Sequence, residues 1–218
     1  MVDAEDLTLD EMRVALAPKV AAAAIFDGWS DAALVSAADK AGIDPAVARL
    51  AYPGGAIDMI AGWIAWVDAR MVEEFDPEVL AQMPIRERIR ALVWFRLEAV
   101  SGLEEALRRA LAIQAMPQNL ARTAKLGWSS ADAMWRLAGD TATDYNHYTK
   151  RAILASIYAA TLAVFVGDES QDKADTRAFL DRRIEGVMKF EKAKARLLKD
   201  REHFDVVRFL GRLRYPAH

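Results

Sequence analysis

Residues Gly139–Ile184 read GDTATDYNHYTKRAILASIYAATLAVFVGDESQDKADTRAFLDRRI. Asp140, Thr141, Thr143 and Asp144 are residue types that begin helices, because a short side-chain oxygen accepts the backbone N–H groups that a first turn leaves unpaired. Gly167 is a residue type that ends them. Between these limits run Tyr145, Tyr148, Ile153, Ile157, Tyr158, Leu162, Phe165 and Val166. A helix this apolar has more than one buried stripe, which predicts a central position with neighbours on several sides. An amphipathic helix follows over Ala174–Phe190, dented by Gly186.

The rest of the chain has the same helical character. Ala, Leu, Met, Glu, Lys and Arg dominate, apolar residues recur at intervals of three and four, and no alternating strand pattern is found, so the fold class is all-α. Of 218 residues, 53% are hydrophobic and 28% charged, enough for a sizeable core and against disorder. Zero cysteines exclude disulfides, thiolate metal sites and a cysteine nucleophile. The acidic start, MVDAEDLTLDE, is unlike a basic targeting region, and the uncharged run Ala152–Gly167 is short for a membrane span, so a soluble or peripheral protein is expected. Expected helices cover Leu9–Phe26 (with a kink or late start at Pro18), Ser30–Ala41, a short helix after Asp44, Ala56–Phe75, Ile85–Val100 and Leu103–Ala115. A short helix to Leu126 and another over Ala131–Ala138, capped by Ser129 or Ser130, complete the middle.

Asp27–Pro53 makes a helix-turn-helix: Ser30 caps the first helix, Gly42 closes it, and Asp44–Pro45 opens the second. Ala37-Ala38-Asp39-Lys40-Ala41-Gly42-Ile43-Asp44, followed by Tyr52–Pro53, resembles the head of TetR repressors. Its charge departs from that pattern. Duplex DNA is held mainly by cations on phosphates, yet Asp27–Gly55 offers only Lys40 and Arg49 against Asp27, Asp31, Asp39 and Asp44. Gly55 stands where a lysine is usual, and Arg49 is the one base-reading candidate on the short helix. Residues 1–58 hold ten acids and four bases, so the head is expected to serve packing and not nucleic acid.

The opening stretch carries a second resemblance. Gly-Asp-x-x-Thr-Asp-Tyr-Asn-x-Tyr-Thr-Lys-Arg from Gly139 to Arg151, then Asp168-x-Ser170-x-Asp172 and Thr176-x-x-Phe179-Leu180-x-x-Arg183, is similar to the coenzyme Q (ubiquinone) biosynthesis accessory family often called the ninth Coq protein. Asp132, Met134 and Trp135 match its upstream element, and the likeness spans Gly28 to about Met188. The resemblance implies a TetR-like helical bundle with a degenerate helix-turn-helix head, a lipid ligand (an isoprenoid quinone or a phospholipid), and a partnership with the demethoxyubiquinone hydroxylase. The expected organisation is a head over 1–75, a lipid-binding body over 76–192 and a basic amphipathic tail helix over 193–218.

No catalytic machinery is read in the residues. His147, His203 and His218 are too scattered for a metal site, no Glu-x-x-His pair exists, and neither a phosphate loop nor a nucleophile elbow appears. Asp140 and Asp144 are paired carboxylates that helix capping explains better than acid–base work. No enzyme activity, cofactor or metal is expected. Trp135 with Met134, Tyr148 and His147, rimmed by Asp132, Lys150 and Arg151, forms either an aromatic–Met interface patch or a packed helix junction. The resemblance favours the patch as the hydroxylase-facing surface, with His147 standing where some relatives have tryptophan. Large apolar groups in the body, Trp94, Phe95, Trp128, Tyr158 and Phe165, are either core or the wall of a lipid chamber, and the resemblance implies the chamber.

Residues 189–218 hold nine Lys/Arg against four Asp/Glu, a net of +5 on a body of −8. On a helical wheel Val206, Val207, Phe209, Leu210 and Leu213 share one arc opposite Arg208 and Arg212, the pattern of an interfacial helix on an anionic membrane. Docking on the body or on a second copy fits nearly as well, and a homodimer stays open. The expected function is non-catalytic: to hold a polyprenyl quinone intermediate at the membrane and present it to the hydroxylase. A TetR-class transcriptional regulator is the alternative, and a ligand-free membrane adaptor a third reading. The expected location is cytoplasmic and peripheral to the inner membrane in a bacterium, or on the matrix side in a mitochondrion.

Overall fold

The computed structural model describes residues 7–143 and 145–202. Its helices, in chain order, are α1 (Leu9–Asp27), α2 (Asp31–Ala41), α3 (Pro45–Ala51), α4 (Ala56–Glu74), α5 (Pro77–Ala81), α6 (Ile85–Glu98), α7 (Glu104–Gln114), α8 (Leu120–Leu137), α9 (Tyr145–Phe165) and α10 (Ala174–Glu202). No strand occurs among the described residues. Short 3₁₀ turns precede α8 and α10.

Local chemistry sets the ends. Thr8 and Glu11 form a reciprocal capping box at the start of α1, and Ser30 accepts the Ala33 N–H at the start of α2. Gly42 takes the left-handed conformation (φ 69°) that closes α2 and turns the chain into α3, a conformation strained for residues with a Cβ. α1 packs against α2, α3 and α4, while α4 continues to α6, α7 and α8, so α4 joins the helix-turn-helix to the remaining helices. Trp29 seals that joint: its indole donates to the Ala106 carbonyl at 2.9 Å and its ring lies 5.4 Å from that of Trp63.

Several boundaries differ from expectation. α1 runs through Pro18 without a late start, because the Thr8 box already fixes its beginning. α5 is an additional short helix, capped by Asp76, in the segment read as a boundary. α8 is one helix where two were expected: Ser130 is no cap but a buried side chain accepting from Arg96 Nη2 at 3.0 Å. α10 passes through Gly186 to Glu202, so the expected division at 192 falls inside one helix. α9 does contact α6, α8 and α10, burying Arg151, Leu154, Ile157, Tyr158, Thr161 and Phe165. One face of it, Ala152, Ser156, Ala159 and Ala163, stays exposed.

The α9–α10 turn is organised by Asp168. Its buried carboxylate accepts the Thr176 N–H and hydroxyl at 2.8 and 2.5 Å and the Ser170 N–H and hydroxyl at 2.9 and 2.5 Å. Burial works to raise its pKa, but the donors from Ser170 and Thr176 outweigh burial and hold it well below the usual carboxylate range. A depressed folded pKa means the contribution is fully present above the unfolded value, about 4, and is lost as pH falls through the lower folded value. Asp168→Ala is therefore expected to cost about 1–3 kcal/mol at neutral pH. The deficit, read by urea unfolding along a pH series, should shrink only below about pH 4.

Helix crossing in the head makes a second, opposite-signed test. A Cβ on Gly62 of α4 would lie 2.9 Å from Arg13 Cγ and 3.2 Å from both the Arg13 carbonyl oxygen and Tyr52 Cε1. Ala would gain about 1 kcal/mol of helix propensity there and lose about 1–3 kcal/mol to overpacking, so Gly62→Ala should lower the unfolding midpoint. Gly127 in α8 has nothing within 4 Å of the same position, and Gly127→Ala should raise it.

Candidate ligand cavity and aromatic surface

The helices α4, α6, α7, α8 and α9 line a largely apolar cavity of about 470 Å³ that opens to solvent beside the exposed Leu120 and Ala159. Ile60, Trp63 and Val67 of α4 face Leu107 and Leu111 of α7 across it, with Tyr158 and Leu162 of α9 on a third side. The helical period places these residues three or four apart, one stripe per helix. Arg96 of α6 interrupts the apolar wall. It is 1% exposed, ion-paired to Asp68 of α4, hydrogen-bonded to Ser130 of α8, and stacked 4.8 Å from the centre of the Tyr158 ring. Burial works against its charge, but Tyr158 and Asp68 outweigh burial and keep the guanidinium ionised. Burial raises the pKa of Asp68 against the pull of Arg96.

Of the five body residues singled out in the sequence, Tyr158 alone lines this cavity. Trp94 faces outward, donating to Glu98 at 2.5 Å with the Arg177 guanidinium 3.6 Å over its ring. Phe95 packs edge-on against Phe75 at 5.6 Å, Phe165 is core, and Trp128 belongs to a surface cluster described below. Aromatic bulk marks apolar helices but not which side of each faces a hollow. A smaller cavity, about 240 Å³, opens between α6, α8, α9 and α10, with Ile89, Ile153 and Ile184 in its wall and Arg86 and Lys150 among its lining residues.

The N-terminal turns of α9 carry the aromatic surface. Tyr148 is 61% exposed, with Trp128 6.0 Å and His147 5.1 Å from its ring, and Tyr145 beside it is 77% exposed. Trp135 is half-buried; its indole donates to the Lys150 carbonyl at 3.0 Å, and the Lys150 ammonium lies 5.3 Å from its ring centre. Two residues expected in the patch are not at the surface. Met134 is fully buried, because it faces inward on α8. Arg151 is 2% exposed and holds Asp132 at 2.5 Å and Asp140 at 3.0 Å, so it ties α8 to α9 instead of rimming a contact. Asp140 also takes Lys150 at 2.6 Å. Burial works to raise the Asp140 pKa, yet Lys150 and Arg151 hold it below its ordinary value, so it is an ion-pair anchor and not the helix cap expected. The membrane residues Val206, Val207, Phe209, Leu210 and Leu213 lie outside the described residues.

Among the described residues no three His, Asp or Glu side chains are grouped to hold a metal ion, and no helix is long and apolar enough to cross a membrane. The surface and its support are separable by mutation. Arg151→Met removes the buried cation, but Asp140 keeps Lys150 and Asp132 keeps Arg136, so it is expected to cost about 1–3 kcal/mol of unfolding free energy. Tyr148→Ala, at an exposed ring, should stay within about 0.5 kcal/mol of the parent in the same measurement.

Comparison with known proteins places this geometry. In fold, the chain is similar to the TetR transcriptional regulator from Nitrosomonas europaea, with a TM-score of 0.63 and 20% identity over 80% of this chain and 96% of that one. In sequence, it is similar to the ubiquinone biosynthesis protein COQ9, mitochondrial, of Rattus norvegicus (35% identical over 168 residues) and of Homo sapiens (33% over 168). Each match covers 74% of this chain but 54% and 52% of the respective relative, so the chain spans about half their length. The COQ9 family model matches residues 120–191, from the start of α8 into α10. Over that segment the chain is similar to the COQ9 family.

Proposed function

We propose that this chain is a non-catalytic, lipid-binding accessory protein of ubiquinone biosynthesis, which holds a polyprenyl quinone intermediate and presents it to the demethoxyubiquinone hydroxylase at a membrane. The observation that carries the proposal is the partly open apolar cavity of about 470 Å³ lined by α4, α6, α7, α8 and α9. The similarity to proteins named for ubiquinone biosynthesis supports the pathway. The exposed Tyr145 and Tyr148 with Trp128 support a partner contact, since aromatic groups are enriched at interfaces and costly to leave in water. The basic amphipathic pattern of residues 204–214 supports contact with anionic lipid.

A DNA-binding role is the second reading, favoured by the intact α2–α3 geometry and the similarity to a TetR regulator. Against it stands Arg49, the candidate base reader of α3, which donates to both carboxylate oxygens of Asp31 at 2.7 and 2.8 Å. An arginine so engaged must break that pair to reach a guanine.

Native mass spectrometry of gently purified protein, followed by lipid extraction, tests the proposal. Isoprenoid or phospholipid is expected at close to one per chain, and protein that stays ligand-free when purified from its own host overturns the lipid role. Tyr148→Ala should weaken hydroxylase capture at least about tenfold if Tyr148 is an interface anchor. Tight, salt-sensitive and sequence-dependent duplex binding would instead establish the second reading.

A further inference from the structure

Of the residues that line the larger cavity, Ala115, Leu120, Ala124 and Ala159 are exposed, and all four are apolar. The mouth of the cavity therefore has an apolar rim. Met116, 43% exposed, and Leu120, 53% exposed, carry that rim over the corner between α7 and α8. A contiguous apolar surface left in water marks a contact site. The charge around it is one-sided. From Ala106 to Ala131 the chain has no acid but has Arg108, Arg109, Arg122 and Lys125, and on α9 the run Ala152–Gly167 has no charge at all. Arg108 and Arg109 pair with Glu105, and Arg122 with Asp58. Lys125 is exposed, one residue beyond Ala124, and is in no ion pair with any described residue.

We infer that this rim docks on an anionic lipid surface, with Met116 and Leu120 entering the apolar layer, Lys125 against the headgroups, and the cavity opening into lipid. The inference rests on the membrane role proposed above and goes beyond it: that role drew on residues 204–214, whereas this surface lies on α7, α8 and α9. Three features select lipid as the occupant. Apolar groups flanked by cations with no acid among them are the combination that binds an interfacial layer, and each basic residue near an anionic surface adds attraction. The exposed rim holds no Trp, Tyr or Arg, the residue types that anchor protein interfaces. A second copy docking through the same face would oppose Lys125 to Lys125, with no acid between Ala106 and Ala131 to receive either. A mouth set in lipid also lets an apolar ligand cross without exposing its surface to water.

The absence of cysteine allows one fluorophore to be placed at a chosen position. Ala121→Cys, exposed beside Ala124 and Lys125, and Leu50→Cys, exposed on the outer face of α3, are each labelled with an NBD dye in the full chain. The probe is a vesicle of phosphatidylcholine with a minority of phosphatidylglycerol, and co-sedimentation is measured in parallel. The label at position 121 should shift to the blue and be quenched by doxyl-labelled lipid, while the label at position 50 should do neither. In the unlabelled chain, Leu120→Asp combined with Lys125→Glu should lower vesicle partition at least about tenfold, with thermal unfolding confirming an intact fold. Protein that sediments with the vesicles while the label at position 121 stays in water overturns the inference and leaves membrane contact through the tail standing. A folded double variant that partitions as the parent does overturns it as well. A label at position 121 that shifts with protein concentration in the absence of vesicles assigns the face to a second copy, with the same consequence. No sedimentation at all overturns the inference together with the membrane role on which it rests.

Discussion

Arg96 of α6 reaches Asp68 on α4, Ser130 on α8 and the ring of Tyr158 on α9, so one guanidinium holds four helices in register around the cavity. A buried ion pair gives little net stability over an apolar packing of the same volume, because taking both charges out of water offsets their attraction. What it does give is geometry: an unpaired guanidinium in this position is so unfavourable that α4, α6 and α8 have few alternative placements. Arg151 plays the same part between α8 and α9, with Asp132 and Asp140 as its partners.

Those two arginines also mark where the sequence could be read and where it could not. The all-α class and most of the longer helices follow from periodicity, caps and the Gly42 turn, each a local property, whereas α5 and the continuity of α8 do not. Arg96 lies on the stripe Ile89, Leu92, Val93, Leu97 and Val100, and Arg151 on the stripe Leu154, Tyr158, Thr161 and Phe165, so a cation in a buried period was visible in both cases. Its partners were not. Asp68 is 28 residues from Arg96 and Ser130 is 34, and only the packing of α4 and α8 brings them together. The cavity was illegible for the same reason: Ile60, Leu107, Leu120 and Tyr158 look like ordinary core until three-dimensional packing leaves a gap between them. Trp94 and Phe95 show the converse, large aromatics that spend their bulk elsewhere.

The head separates geometry from chemistry. Its helix-turn-helix is held by Tyr52, whose hydroxyl donates to the Arg13 carbonyl at 2.6 Å, and by Arg13, whose Nε donates to the Ala51 carbonyl at 2.8 Å. These bonds join α1 to the end of α3 and are indifferent to what the outer face of α3 touches. That outer face presents Val47 and Leu50 to solvent beside an Arg49 occupied by Asp31. A head can thus keep the shape of a DNA reader while losing the cations that give DNA affinity, since shape is fixed inside and affinity outside.

α9 brings the cavity and the exposed surface into one rigid element. Tyr158 lines the cavity and Tyr148 stands at the surface, ten residues and about 15 Å apart along a continuous helix. Arg151 lies between them, fully engaged with two carboxylates, so this part of α9 cannot rotate or slide without breaking a buried ion pair. The exposed small-residue face, Ala152, Ser156, Ala159 and Ala163, lies along the same helix, where close approach of another surface meets little steric resistance. Arg151 thus fixes the tyrosine-bearing end of α9 against α8.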